Sequence, residues 1–188
     1  QSANFSYGKD IFISLDCAAS EFFDGKNYIL NATDETFSSD GLIDYYVALI
    51  KKFDIKSIED PLHEDDWDGW IKLTRELNGV QIVGDDIFVT QRELLKKGID
   101  SHAGNAILIK PNQVGTLTES LESIKLAKEN EFNTIISHRS GETEDSFIAD
   151  LAVGVDAKQI KTGAPSRSDR NSKYNRLLII ENELYPKK

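Results

Sequence analysis

Six short apolar or β-branched runs, each closed by polar or charged residues, constrain this chain more than any other feature. The runs are Ile11–Leu15, Lys56–Ile58, Val80–Val83, Ala106–Ile109, Thr134–Ile136 and Gln159–Ile160. Amphipathic stretches of helical spacing separate them, with Leu42, Tyr46, Leu49 and Ile50 sharing one face of the first. Trp67, Ile71, Leu73 and Leu77 mark the second stretch, and Leu117, Leu121, Ile124 and Leu126 a later one. Strands that alternate with helices so regularly pair in parallel, because each crossover must carry the chain back along the sheet. The expected fold class is therefore α/β, a (β/α) barrel-type arrangement.

Local signals agree. Ser38-Ser39-Asp40 suits the start of the first helix, Thr90-Gln91-Arg92-Glu93 reads as a capping box, and Gly98 suits a helix end. The longer interval between the first two runs holds Glu21 to Thr36, read as a hairpin-like insertion around Asp24-Gly25.

The polar closures fall at Asp16, Glu59-Asp60, Asp85-Asp86, Lys110, His138-Arg139 and Lys161, and after the first they recur about every 25 residues. In a (β/α) barrel the C-terminal strand ends face the active site, so these clusters are candidates for one cavity. Asp16, Glu59 and Asp85 put carboxylates on successive strand ends. Oxygen-only ligation favours Mg²⁺ or Mn²⁺ over zinc. Lys110 and Lys161, with His138, Arg139 and Ser140 between them, suit an anionic substrate, and Arg139 with Ser140 could hold a phosphate. A lysine beside a divalent cation and a second lysine has its charged form repelled, which makes it competent as a general base. The alternative for Lys110 is an ion pair with Asp16 or Glu59 that closes the barrel.

Composition removes other classes. Thirty-two acidic against 22 basic residues give a net charge of −10, which repels nucleic-acid phosphates. No run approaches the roughly 20 apolar residues of a membrane span. The single Cys17 has no internal disulfide partner and points to a reducing, cytoplasmic compartment. It reads as a buried small residue rather than a nucleophile. His63 and His102 read as surface or capping groups, Trp67 and Trp70 as core, and Asp60 and Asp86 as groups that orient their neighbours rather than bind metal.

Six motifs together resemble enolase, of bacterial flavour: Ser14-Leu-Asp-Cys-Ala-Ala-Ser-Glu-Phe22, Ile58-Glu-Asp-Pro61, Gly84-Asp-Asp86, Ile109-Lys-Pro-Asn-Gln113, Ser137-His-Arg-Ser-Gly-Glu142 and Ile160-Lys-Thr-Gly-Ala-Pro165. Glu64–Trp70 and Ser166–Asn175 add flanks. The resemblance implies Mg²⁺-dependent, reversible dehydration of 2-phosphoglycerate to phosphoenolpyruvate in glycolysis. It implies Asp16, Glu59 and Asp85 as metal ligands and Lys110 as the base. Arg139 and Ser140 would bind the substrate phosphate, Lys161 its carboxylate end, and His138 would line the pocket. Pro111 would hold Lys110 in extended geometry.

The same resemblance makes residues 1–188 the C-terminal part of the enolase barrel, its last six βα units, without an N-terminal α+β domain or the first two barrel strands. The family's general-acid glutamate then lies outside this chain, and neither Glu21 nor Glu64 falls where it would. The expected piece is inactive alone, while the full-length form is a homo-oligomer, dimer or octamer. Open sheet edges would favour association of the piece by itself. Family members also occur at the cell surface or secreted, and a non-catalytic alternative is plasminogen binding through Lys187 and Lys188. Racemases and lactonising relatives fit less well, because Lys110-Pro111-Asn112 lacks their Lys-x-Lys base motif.

Overall fold

The computed structural model describes residues 3–186, so Lys187 and Lys188, named for plasminogen binding, lie outside the described residues. The fold is α/β. One sheet contains β1 (Ser14–Asp16), β4 (Ser57–Glu59), β5 (Gln81–Gly84), β6 (Ala106–Ile109), β7 (Asn133–Ser137) and β8 (Lys158–Lys161). Their order in the sheet is their order along the chain. A separate antiparallel pair is formed by β2 (Tyr28–Leu30) and β3 (Glu35–Phe37). Two compact units divide the chain: Gln1–Phe88 with Glu93–Ala106, and Val89–Arg92 with Ile107–Lys188.

In the first unit, β1, β4 and β5 pair in parallel, with Asp16 opposite Glu59. The strand expected from Ile11 begins only at Ser14, and Ile11, Phe12 and Ile13 are exposed. Their apolarity marks a surface, not a buried strand. The expected insertion forms a turn at Asp24, whose carboxylate accepts the N–H groups of Lys26 and Asn27 at 2.8 and 2.7 Å. It continues into the β2–β3 pair.

Helix α1 (Ser39–Phe53) starts where expected, because the Ser38 hydroxyl accepts the Gly41 N–H at 3.2 Å. Its last turn carries Lys51 and Lys52, favourable at the negative end of a helix, and the left-handed Asp54 ends it. Helix α2 (Trp67–Glu76) is capped by Asp66, whose carboxylate accepts from Gly69 N–H, the Ser39 hydroxyl and the Tyr28 hydroxyl. Trp70 is wholly buried, as expected of core, while Trp67 lies half-buried under the Lys97 ammonium at 3.6 Å from its ring centre.

Two expectations about α3 (Arg92–Ser101) fail. The helix begins at Arg92, and Thr90 is buried with a left-handed backbone, its hydroxyl bonded elsewhere than to this helix. A threonine cap occurs instead at Thr116, whose hydroxyl accepts the Glu119 N–H at 3.2 Å and bonds the Glu119 carboxylate. Gly98 lies inside α3 rather than at its end, because a Cβ there would collide with the Phe88 ring.

The second unit contains most of β6, then the short α4 (Pro111–Val114) and α5 (Leu117–Glu129). It continues through β7, α6 (Phe147–Gly154), β8 and α7 (Ser168–Leu184). β6 is buried along its whole length, the signature of a parallel strand covered on both faces. β7 and β8 pair in parallel with Ser137 opposite Lys161.

Gly98→Ala is the sharpest test of the packing around Phe88. Alanine should gain about 1 kcal/mol as a helix former, whereas overpacking costs about 1–3 kcal/mol. The clash with Phe88 and the contact at 3.2 Å with the Ala103 carbonyl make the penalty win. Thermal unfolding should move down by several degrees, and an unchanged or raised midpoint would contradict the packing.

A candidate metal and anion site at the strand ends

The site residues of the first unit follow from where its strands stop. Asp16 is the last residue of β1 and is exposed, Glu59 is the last of β4 and is buried, and Asp85 follows β5 and is buried. Asp16 and Glu59 are register partners. Among the described residues, the three carboxylates whose oxygens lie within 4.8 Å of one another are a different set, Asp60, Asp85 and Asp86. Only Asp85 is common to both. The reason lies in two hydrogen bonds: Asp60 Oδ1 accepts the Asp85 N–H at 2.9 Å and Oδ2 accepts the Asp86 N–H at 3.0 Å. With both oxygens committed to backbone donors, Asp60 fastens the turn that presents Asp85, the orienting task expected of it.

The electrostatics are compatible with a cation. Burial, countered by those two N–H donors, and the nearby charges of Asp85 and Asp86 push the Asp60 carboxyl up to about 8. Carboxylates crowded in this way must share a proton or a cation. The donor set is oxygen only, which fits a hard divalent ion such as Mg²⁺ and offers no thiolate or imidazole for zinc. Nearby, burial raises the Cys17 thiol to about 11, so it is no nucleophile at neutral pH. His63 stacks beside Phe23 at 4.6 Å and accepts the Asp65 N–H at 3.1 Å, and His102 is exposed just past α3. Both have the surface and capping roles expected.

The second unit carries the basic residues. Lys110, half-buried, directly follows β6 with an extended backbone (φ −120°, ψ 98°), and Pro111 opens α4 after it, as the sequence implies. Lys161 is the last residue of β8, and its carbonyl accepts the His138 N–H at 3.0 Å. Arg139 and Ser140 follow on an exposed loop, where the Glu142 carboxylate accepts the Arg139 N–H at 3.2 Å. His138, Arg139, Ser140 and Lys161 are thus joined through one loop and one strand end.

Arg170, buried on α7, holds that loop; it falls within the flank Ser166–Asn175, but nothing local in that stretch signals the role. Its guanidinium donates to the carbonyls of Arg139 at 2.8 Å and Ser140 at 3.0 Å, and to His138 Nδ1. A guanidinium cannot accept, so Nδ1 is the acceptor and neutral His138 carries its proton on Nε2. Burial first, and the Arg170 charge second, hold the His138 pKa below its ordinary value. Only the folded chain brings Arg170 to a loop some 30 residues earlier.

Comparison with known families identifies the chain. The family model described as "Enolase, C-terminal TIM barrel domain" matches residues 2–187, and the chain belongs to that family. Its α/β architecture and the family's barrel agree, and the family makes an enolase-like or related lyase function the coarse assignment.

Two outcomes follow from the fasteners. Asp60→Asn keeps one acceptor and loses the other, so the Asp85 turn should loosen and divalent binding weaken by about 10–100-fold. Mn²⁺ titration by calorimetry checks this, and an unchanged Kd would contradict it. For His138, the folded state binds its proton more weakly than the unfolded chain, whose value is about 6.5. Its contribution to stability is therefore present above that pH and lost as pH falls below it. An NMR titration should place the His138 midpoint below 6.5, and Arg170→Gln should raise it; a midpoint at or above the ordinary value would contradict the arrangement.

Proposed function

We propose that this chain carries the catalytic residues of an enolase, converting 2-phosphoglycerate and phosphoenolpyruvate into one another. The match of residues 2–187 to the enolase barrel family carries the reading. The oxygen-only acidic cluster and the basic loop ends are consistent with it.

In this reading Asp16, Glu59 and Asp85 hold Mg²⁺, which when bound neutralises charge developing on the substrate carboxylate. Asp60 keeps the Asp85 turn in place through its two backbone acceptors. Lys110 Nζ, in its neutral form, removes the proton α to the carboxylate and holds it as an ammonium. Arg139 and Ser140 bind the phosphate, with their backbone fixed by Arg170. Lys161 takes the carboxylate end and His138 lines the pocket. A Lys or His base beside one or two divalent ions is the general pattern of enolase-superfamily sites, and the roles of base and metal are taken from it. No residue of this chain is assigned the acid that protonates the leaving hydroxyl, and the 188 residues alone are not expected to turn over. The substrate is a small phosphorylated acid, and the working form is a full-length homo-oligomer.

Activity of the full-length protein should require added Mg²⁺ after chelation. Lys110→Ala should lower kcat by about 10²–10⁴-fold, the usual contribution of a positioned base. Turnover that survives chelation, or a Lys110→Ala variant of ordinary rate, would contradict the reading.

A further inference from the structure

Val89 and Thr90 are the only β-branched residues with left-handed backbones among the described residues, at φ 42° and 61°. β-Branched side chains clash with the backbone in this region, so consecutive examples persist only where the surroundings over-determine them. Thr90 is wholly buried. Its hydroxyl oxygen accepts the backbone N–H of Lys110 at 2.9 Å and sits 2.5 Å from Gln113 Oε1, to which it donates. The Thr90 carbonyl accepts the Ser123 hydroxyl at 2.6 Å. The Gln113 N–H in turn donates to the Lys110 carbonyl at 2.9 Å. Thr90, Lys110 and Gln113 thus close a ring of hydrogen bonds that grips the Lys110 backbone on both sides.

We infer that Thr90 is a positioning residue for Lys110: its left-handed backbone delivers the hydroxyl to the Lys110 N–H and fixes the lysine where β6 gives way to α4. The inference rests on the reading of Lys110 as the base. A hydroxyl is required, because the one group must accept from Lys110 and donate to Gln113 at once. Valine has the same shape and can do neither, so the bonds to the Lys110 N–H and to Gln113 Oε1 are both lost. Serine keeps both bonds.

The test uses the full-length protein with Mg²⁺, reading kcat, KM, and exchange of the substrate α-proton with solvent deuterium. Thr90→Val should lower kcat and exchange together by about 10–100-fold, as a misplaced catalytic group does, with KM and Mn²⁺ affinity little changed. Thr90→Ser should restore both to near the parent rate. If Thr90→Val fails to fold, Gln113→Ala, which opens the ring from its other side, should show the same kcat loss at constant KM.

A parent-like Thr90→Val, equal losses in the valine and serine variants, or an unaffected Gln113→Ala would each overturn the inference. Lys110→Ala separates the two ideas. If it abolishes exchange while Thr90→Val is parent-like, only the positioning role fails. If it leaves exchange intact, the base assignment fails and the positioning role with it.

Discussion

The carboxylate of Asp60 is the interaction on which the acidic end of this domain depends. It is buried, it accepts two successive backbone N–H groups, and those groups belong to Asp85 and Asp86. Without it, two backbone donors of the turn after β5, one in a buried and one in a half-buried residue, would lose these acceptors. With it, a site that needs carboxylates close together acquires a rigid frame, at the expense of charge repulsion that a proton or cation must relieve.

The same device recurs in the second unit. Thr90 holds the Lys110 backbone, and Arg170 holds the carbonyls of Arg139 and Ser140. In each case a buried polar side chain from a distant part of the sequence satisfies backbone groups where a strand has just ended. Parallel strands leave their terminal N–H and C=O groups without ladder partners, so some such fastener is obligatory. Of the residues assigned to chemistry, Asp85, Lys110, Arg139 and Ser140 sit on the segments so fastened. Rigidity of the frame, rather than of the reactive side chains, is what the sequence supplies here.

Much of this was legible in the residue order. The alternating apolar runs and helical faces located the six sheet strands. Pro111 announced the extended Lys110 backbone. The strand start at Ile11 misled, because apolar residues on an exposed surface look the same in sequence as those in a strand. Thr90-Gln91-Arg92-Glu93 misled for another reason: a capping box and a buried hydroxyl clamp use the same residue type, and only tertiary contacts choose between them. Gly98 signalled a helix end but instead makes room for Phe88. Arg170 carried no local signal at all, since its partners lie about 30 residues away.

The central claim is that Asp60 serves as a fastener while a divalent cation is held by Asp85 with Asp16 and Glu59. Anomalous diffraction from crystals of the full-length protein grown with Mn²⁺ measures this directly. The account predicts a manganese peak within ligand distance of Asp16, Glu59 and Asp85, with both Asp60 oxygens still on the Asp85 and Asp86 N–H groups. A manganese ion coordinated by Asp60 and Asp86, with those backbone bonds broken, would contradict it.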